Sequence, residues 1–466
     1  MSDFSPSRCE ITKAIITSYG RENVVSEDIN TIIGAFDIEH GIGKVALTGS
    51  VTVLDTTGLL ERFPLRGEET LDLEIKSYDL QTVRKIKAHI YKITDIEPNS
   101  LTKGVTYTLH WISSISWSAL QRKIIKAYNG KEISTIIKEI FNQYFAVLKP
   151  YTTVKTDGIE LPDETSIFNI TGEEQRKFVL QKTSEKTSLT IPRYSPTEAI
   201  GFCLKRAFNN TQSKSSSFRF FETWDGFYSV SDEWFFQKAS ANGLTGNKVL
   251  NYSAQVDLDP LNIDEQVKSL ESFTSPSRID SARDLAGGGY KNTFLEIDFL
   301  NSTVKRYNYA YLKGNNKFKD VKGKEASWKT DIHTEKFANE VFTNENARQF
   351  LVMRDYRNSY DAKSFSGEKN FRELVSRRIM YNAHMSATQV QATTSGRLDL
   401  SPGDVIQVNI RELNASTNQT EKNEQLSGRY LITHISNVCN SDILSTQLTL
   451  FKYDWSDANI DRGAGT

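Results

Sequence analysis

Polar and apolar residues alternate in several short runs within residues 36–116. The runs cover residues 45–53, 71–75, 86–90 and 105–111. A period of two places successive side chains on opposite faces of a strand, so each run predicts a half-buried β-strand. Turn signals rich in glycine, proline and asparagine separate the runs. This part of the chain therefore predicts a small antiparallel barrel or sandwich.

The same order of motifs recurs near the other end of the chain. Each copy has a turn glycine, a polar-apolar alternating run, a second strand and a third strand. Such a repeat is more typical of assembly proteins, which present repeated surfaces, than of enzymes. The first copy comprises Gly67 and the runs 68–75, 89–93 and 107–111, and the second comprises Gly403 and the runs 404–410, 430–435 and 447–451.

Between the copies the apolar period changes to three or four. Residues 133–144 place isoleucines and aromatic residues on one face, which predicts an amphipathic helix. Another helix is predicted to begin at Ser195, because serine caps helices, Pro196 suits the first turn and Glu198 completes a capping box.

Two further elements are predicted in this middle region. The apolar positions 120, 124 and 125 favour a helix that ends at Asn129-Gly130. Residues 218–230 predict a β-hairpin with a type I′ turn at Asp225-Gly226. These elements indicate a separate α/β domain.

The last third of the chain is less regular. Strands are predicted at 294–300 and 303–311, after the triple glycine 287–289, and a short helix at 371–379. The segment between them is rich in lysine and asparagine, has little periodicity and predicts an exposed insertion or long loop.

The predicted fold class is α+β, mainly β, with two similar antiparallel β-barrels and an inserted α/β domain. The predicted divisions are 1–116 for the first barrel, 117–245 for the α/β domain, 246–311 for the first part of the second barrel, 312–370 for a polar insertion, and 371–466 for the remainder of the second barrel and a C-terminal tail.

The amino-acid composition and the charge balance argue against several classes of function. The chain has 466 residues, with 57 Lys and Arg against 58 Asp and Glu, and this near-neutral balance argues against a dedicated nucleic-acid binder. No apolar run reaches the ~18 residues of a membrane span, so none is expected. The first residues lack the basic and apolar regions of a signal peptide, which together with few cysteines favours folding in a reducing cytoplasm.

The sequence contains no recognisable catalytic, cofactor-binding or metal-binding motif. Cys9, Cys203 and Cys439 fit no metal or redox spacing, and the latter two are expected to be buried free thiols. The triple glycine precedes a strand, whereas a phosphate loop requires a helix there. No HxxxH or HExxH motif is formed by the six histidines His40, His89, His110, His333, His384 and His434. His89, His110 and His434 lie within strand patterns and are interpreted as structural.

Acidic and aromatic clusters also receive a structural interpretation. The carboxylate pairs Glu68-Glu69 and Glu173-Glu174 lie beside turns and are expected on the solvated surface. Aromatic residues in 218–236 and 307–311 are able to stack on bases or sugars, but alternating aromatics also build strand cores. We expect a core or a protein interface there.

The C-terminal motifs resemble the second barrel of baseplate hub proteins from contractile-tailed phages, and related units occur in type VI secretion spike hubs. The similar motifs read Leu400-Ser-Pro-Gly-Asp-Val-Ile406, Ser427-Gly-Arg-Tyr-Leu-Ile432 and a closing alternating strand. Arg377-Arg378 and Gly288-Gly-Tyr-Lys-Asn292 are also similar to that family. Residues 312–370 match no family element.

The resemblance implies a structural, non-enzymatic hub without a cofactor. It implies a homotrimer whose two barrels per subunit form a pseudo-sixfold ring, adapting a hexameric tail tube to a trimeric central spike around a channel. Expected partners are the chain itself, the spike, the tube, other baseplate proteins, and DNA or tape-measure protein passing through without specific binding. The expected location is the virion tail baseplate, assembled in the host cytoplasm. The residues of the ring contacts are not predicted.

Two alternatives stay open at this point. One is a hub or spike protein of a secretion or contractile injection system. The other, from a different class, is an enzyme that cleaves carbohydrate or peptidoglycan with a carboxylate pair, although no such pair is identified.

Overall fold

The computed structural model describes a mainly β chain. The described residues are 7–19, 24–63, 65–77, 82–99, 104–145, 163–170, 174–184, 186–209, 216–232, 234–235, 248–252, 263–277, 287, 291–298, 302–310, 318–319, 325–326, 348–353, 378–379, 382, 389–411, 423, 426–440 and 442–452.

The N-terminal region is built from antiparallel strands. Its elements are β1 (Cys9–Tyr19), β2 (Val24–Asp28), a 3-10 turn (Asn30–Ile32), β3 (Ile33–Gly41), β4 (Thr48–Asp55), α1 (Leu59–Arg62), β5 (Thr70–Ser77), β6 (Val83–Asn99) and β7 (Gly104–Ser113).

The middle region combines helices and strands. Its elements are α2 (Ser114–Leu120), β8 (Ile124–Glu132), α3 (Ile133–Tyr144), β9 (Asp163–Ile170), β10 (Glu174–Gln181), β11 (Lys186–Tyr194), α4 (Pro196–Leu204), β12 (Phe218–Thr223) and β13 (Gly226–Ser231). Strands β12, β13, β10 and β9 form one sheet in that order, and β8 pairs with β11 in another.

The C-terminal region returns to strands. Its elements are β14 (Val249–Tyr252), α5 (Ile263–Val267), β15 (Ser269–Ser277), β16 (Lys291–Asp298), β17 (Thr303–Ala310), β18 (Phe318–Lys319), β19 (Glu325–Ala326), β20 (Arg348–Met353), β21 (Gln389–Ser395), β22 (Val405–Asn409), β23 (Gly428–Asn440) and β24 (Ile443–Lys452).

One sheet of 13 strands joins the two ends of the chain, in the order β2-β1-β5-β6-β7-β4-β3-β23-β22-β14-β15-β21-β24. Because β24 also pairs with β23, the last six strands close into a barrel. The predicted α+β, mainly β fold is confirmed. The barrel is not wholly antiparallel, since β14 runs parallel to both β15 and β22.

The repeated motif forms two equivalent three-strand meanders, β5-β6-β7 and β22-β23-β24. Ile90 N–H donates to the Glu69 carbonyl over 2.8 Å, and Ile432 N–H donates to the Asp404 carbonyl over 2.9 Å. The register shifts directly after Ile90 in β6 and directly after Ile432 in β23. Each copy thus has the same backbone hydrogen bond and a β-bulge at the equivalent position, in addition to the same sequence pattern.

The turn before each meander is built in the same way. Gly67 and Gly403 have φ values of 83° and 90°, in the left-handed region that favours glycine. A carboxylate then caps each turn. Glu69 accepts three backbone N–H groups of its own turn, and Asp404 accepts the Ser401 N–H over 3.0 Å.

Three buried clusters divide the chain into an N-terminal unit, a middle domain and a C-terminal barrel. The N-terminal cluster is built around Tyr107, Leu109 and Trp111 of β7. In the middle cluster, Phe141 of α3 stacks on Phe178 and lies edge-on to Phe227, and residues of α4 belong to the same cluster. The aromatic residues of 218–230 therefore form core, as predicted.

Two of the three predicted helices of the middle domain are present where the sequence places them. The amphipathic helix is α3, and its buried side follows the predicted apolar positions. At the start of α4 both bonds of the capping box form: Ser195 Oγ accepts the Glu198 N–H over 3.4 Å, and Glu198 Oε2 accepts the Ser195 N–H over 2.7 Å.

Two local predictions in the middle domain are wrong. Residues 124–132 form strand β8 instead of a helix, because pairing with β11 satisfies their backbone groups and Ile125 is 74% exposed. The hairpin β12–β13 turns at Trp224-Asp225, with Thr223 paired to Gly226. Neither turn residue has a positive φ, so the turn is not type I′.

The two strands predicted after the triple glycine are present. Their predicted place in the second barrel is wrong. Strands β16 and β17 pair with each other, and β16 also pairs in parallel with β20. They form a separate three-stranded sheet instead of joining the second barrel. Strand β20 comes from the segment 312–370, where no strand was predicted. Residues 288–289 and most of 371–379 lie outside the described residues.

The Gly403→Ala variant is expected to lose about 2 kcal/mol of unfolding free energy, because alanine is strained at this φ and its Cβ would lie 2.4 Å from Phe235 Cε1. Gly43→Ala is the control, since an added Cβ there meets no atom within 4 Å. Urea unfolding followed by tryptophan fluorescence measures both, and equal midpoints would contradict the role of Gly403.

Candidate functional site

Strand β23 belongs to both β-units. Residues 428–431 pair with β22 of the C-terminal barrel, and residues 434–440 pair with β3 of the N-terminal unit. Strand β24 pairs with β23 along its length and closes the barrel through β21. A single extended strand therefore sets the relative position of the two units.

The tip of the β23–β24 hairpin also contacts the start of β1. Cys9 N–H donates to the Asp442 carbonyl over 2.9 Å, and Leu444 N–H donates to the Ser7 carbonyl over 2.7 Å. An isolated bridge joins Arg8 to Ile443. The hairpin thus lies between β3 and β1 and completes the N-terminal unit as well as the barrel.

A fourth apolar cluster fills the junction of all three regions. It contains Ile42 from the N-terminal unit, Phe221 and Val230 from the middle domain, and Val405 and Leu431 from the barrel. Burial of this shared core favours one arrangement of the three regions, since separating them would expose apolar surface to water.

Arg84 connects the same three regions through polar contacts. Its Nε donates to the Leu398 carbonyl over 2.8 Å, and its Nη1 lies 3.3 Å from Asp225 Oδ1. The guanidinium also lies 5.6 Å from the centre of the Trp224 ring. A planar, charged donor suits such a three-way contact because it binds carbonyl, carboxylate and aromatic groups at once.

Glu222 attaches the middle domain to the N-terminal unit. Its buried carboxylate accepts the Leu47 N–H over 3.1 Å and the hydroxyls of Ser113 and Ser116 over 2.5 and 2.8 Å. Arg176 Nη1 donates to the other oxygen over 2.7 Å. A buried charge is tolerated when it is paired and hydrogen-bonded, as here.

His40 is fully buried in the junction, edge-on to Trp224 with ring centres 4.7 Å apart. Neither ring nitrogen has a hydrogen-bond partner among the described residues. Burial, followed by the positive charges of His434, Arg84 and Lys44, holds the pKa of His40 well below its usual value. The junction therefore requires a neutral imidazole.

The other histidines also have structural surroundings. His89 stacks on Trp117 with ring centres 5.8 Å apart, and burial lowers its pKa. His110 Nε2 shares a hydrogen bond of 2.8 Å with Thr94. Two further histidines lie outside the described residues, His333 and His384.

The candidate nucleophiles and acids are engaged in the core or in turns. Burial raises the pKa of the Cys203 thiol to about 12, so little reactive thiolate exists at neutral pH. The expectation of a solvated Glu68-Glu69 pair is wrong for Glu69, which is 1% exposed because it caps its own turn. Glu173 lies outside the described residues.

The motif residues behind the family resemblance make structural hydrogen bonds. Ser427 Oγ accepts the Ile410 N–H and donates to the Ile410 carbonyl, both over 2.8 Å. Tyr430 OH donates to the Leu426 carbonyl over 2.6 Å. Arg378 caps the C-terminus of α4 by donating to main-chain carbonyls of Leu204, Lys205 and Ser216.

The large sheet has one open edge in the described part of the chain, strand β2, which pairs on one side only, with β1. Tyr19 and Val24 face each other across this pair and are each 64% exposed, and Val25 is 41% exposed. The other residues of β2 are Ser26, Glu27 and Asp28, so the exposed apolar residues lie at one end of this edge. An open edge is a surface that strands of another chain are able to extend.

Within the described ranges, no group of three or more His, Cys, Asp or Glu residues has a metal-binding arrangement. None of the helices in these ranges combines the length and the apolar character of a membrane span.

No protein-family model and no curated protein matches the chain. Among solved structures it is similar to a tail protein from Neisseria meningitidis MC58, at 8% identity and a TM-score of 0.48, covering 94% of this chain and 97% of that one. It is also similar to the 43 kDa tail protein of prophage MuSo2 from Shewanella oneidensis, at 8% identity, a TM-score of 0.47 and the same coverage. A type VI secretion component from E. coli matches at 8% identity and a TM-score of 0.41, covering 91% of this chain and 74% of that one.

The residues at the junction were missed in the sequence because each contact joins distant positions. Arg84 and Leu398 are 314 residues apart, and Glu222 and Leu47 are 175 apart. The sequence offers one indication of these residues: Glu222 and Trp224 lie in a predicted hairpin rich in aromatic residues, which are usually buried.

Replacing Glu222 by alanine is expected to lower the free energy of unfolding by about 3–5 kcal/mol, because the Arg176 charge and the serine hydroxyls lose their buried acceptor. Glu74→Ala is the matched control: its pair with Lys85 spans 3.5 Å at the surface and contributes roughly 0–1 kcal/mol. Chemical denaturation measures both, and losses of equal size would refute the anchoring role of Glu222.

Acidification from pH 7 to pH 5 is expected to reduce stability, with His40 contributing about 2 kcal/mol. The unfolded chain binds the His40 proton with a pKa near 6.5, whereas the folded junction holds this pKa well below that value, so protons favour the unfolded state as pH falls. The variant His40→Leu should show a shallower decline across this range. His89 and His434, whose pKa values are also lowered by burial, contribute in the same direction. Thermal unfolding at several pH values tests this, and identical slopes would exclude His40 as a contributor.

Proposed function

We propose that this chain is a structural hub of a phage tail baseplate, acting without enzymatic activity or a cofactor. Three copies would form a ring around a channel. The motifs at 400–406 and 427–432, which resemble those of baseplate hubs, support this assignment. In the second barrel, Ser427 joins the end of β22 to the start of β23 and Tyr430 fixes the turn before β23, so these motif residues have structural contacts.

The observation that carries the proposal is the shared strand β23. Because one strand pairs with both β-units, their relative position is set within each subunit. Three copies arranged about a threefold axis would then present six similar units, alternating between the two types. Such a pseudo-sixfold face would match a hexameric tail tube on one side, while the true threefold axis would match a trimeric central spike on the other.

The open edge β2 is the surface we assign to contacts between copies. Its exposed apolar residues would be covered by a neighbouring subunit, which would also remove the risk that an open edge recruits unrelated chains. Each subunit would then place this edge against a different surface of its neighbour, which is the head-to-tail contact that closes a ring.

Other parts of the proposal concern partners and location. Besides further copies of itself, the tube and the spike, the hub would contact other baseplate proteins, and DNA or tape-measure protein would pass through the channel. It would be assembled in the host cytoplasm and remain in the virion tail. The carboxylate of Glu222 and the thiol of Cys203 are both engaged in buried structural contacts, which supports a role without catalysis.

Mass photometry and cryo-electron microscopy of the purified chain, alone and with tube protein, test this function. A trimer with a central opening and six similar peripheral units is expected. A chain that stays monomeric at micromolar concentration and is absent from assembled tails would overturn the proposal.

The Val24→Lys variant is expected to weaken the ring at least about tenfold, roughly 1.4 kcal/mol per contact, because lysine on an edge strand opposes strand pairing. Ile125→Lys is the matched control, since Ile125 is 74% exposed on β8 of the middle domain. The trimer-to-monomer ratio on dilution measures both. Equal weakening by the two variants would place the contact elsewhere.

A further inference from the structure

Two cysteines that are far apart in the sequence meet at the closure of the N-terminal unit. Cys9 lies at the start of β1 and Cys439 near the end of β23, and their Sγ atoms are 2.8 Å apart. Both are free thiols, and they are 2% and 5% exposed. Because 430 residues separate the two cysteines in the sequence, their spacing gives no indication that they meet in the fold.

The backbone around the two sulfur atoms holds them together. The Cys9 N–H is bonded to Asp442 and the Leu444 N–H to Ser7, on either side of the Arg8–Ile443 bridge. Each thiol therefore sits on a hydrogen-bonded strand, and their proximity is a property of the closed sheet.

A shared metal ion fits this geometry less well than a covalent bond. Two thiolates on one zinc ion lie roughly 3.8 Å apart, since each Zn–S bond is about 2.3 Å. The described residues also supply no third metal ligand beside the pair. A disulfide requires an S–S distance of about 2.05 Å, which a small side-chain adjustment reaches from 2.8 Å.

The two thiols also differ in acidity. A hydrogen bond from Cys9 lowers the pKa of Cys439, while the same bond and burial raise the pKa of Cys9. Cys439 is therefore the thiol that ionises first and the better nucleophile of the pair.

We propose that Cys9 and Cys439 form a redox-sensitive disulfide that fastens β1 to the β23–β24 hairpin and closes the N-terminal unit covalently. The oxidant class is a small-molecule disulfide. The Cys439 thiolate attacks one oxidant sulfur and releases the first thiolate, and Cys9, losing its proton, then displaces the second from the mixed disulfide. Two protein thiols are oxidised, and one oxidant disulfide is reduced to two thiols.

The consequence is that hydrogen bonds and apolar packing close the N-terminal unit under reducing conditions, and that a covalent bond is added to them under oxidising conditions. The bond would link strands 430 residues apart in sequence, so it would restrict the unfolded chain strongly. This inference goes beyond the proposed function and does not depend on it.

The experiment incubates the folded full chain with excess oxidised glutathione, then unfolds it and counts free thiols by maleimide mass labelling. Three labels are expected on the reduced chain and one, on Cys203, after oxidation. Peptide mapping should show Cys9 joined to Cys439. The oxidised chain should unfold at a higher urea concentration than the reduced chain.

Matched variants separate this pair from the third cysteine. Cys203→Ala should still lose two labels on oxidation, whereas Cys9→Ser and Cys439→Ser should form no internal bond and show no shift of the urea midpoint on oxidation. Three labels remaining on the oxidised wild-type chain, or a bond that includes Cys203, would overturn the proposal. The label count and the peptide map of the wild-type chain are sufficient to test the proposal, so a variant that fails to fold does not affect the conclusion.

Discussion

The backbone hydrogen bonds of β23 are the constraint on which the rest of the structure depends. One half of the strand completes a barrel and the other half extends the N-terminal sheet, so neither unit is complete without it. A linker between two domains would permit rotation, whereas a continuous ladder sets both distance and angle. The proposed symmetry-adapting role follows from this property more than from the similarity of the two units.

Polar contacts then orient the middle domain on this frame. Apolar burial at the junction is strong but non-directional, and many packings would satisfy it. The Glu222 carboxylate and the Arg84 guanidinium are satisfied only when their donors and acceptors come from the correct regions. The buried charges thus select one arrangement among the compact alternatives.

Local patterns in the sequence were sufficient for much of the fold. The alternating runs marked β4 to β7, and the cap at Ser195 and the face of α3 placed two helices correctly. The pattern failed at Ile124–Glu132, where the buried residues Ile124 and Tyr128 are four apart, a spacing that also suits a helix. The separate sheet of β16, β17 and β20, the sharing of β23 and the meeting of Cys9 with Cys439 depend on partners hundreds of residues away or on parallel pairing, for which a single sequence carries no local signal.

The shared hairpin also determines the order in which the protein is able to fold during synthesis. Roughly 400 residues separate β3 from its partner β23, which at about 5–20 residues per second takes on the order of 20–80 s to translate. Throughout that interval β3 lacks its neighbour and the start of β1 lacks the hairpin tip, so the N-terminal sheet emerges from the ribosome with unpaired edges. Strands made about 400 residues later are therefore the ones that finish the first unit, and a ribosome that stalls before residue 428 leaves behind a sheet that lacks the strand needed to complete it.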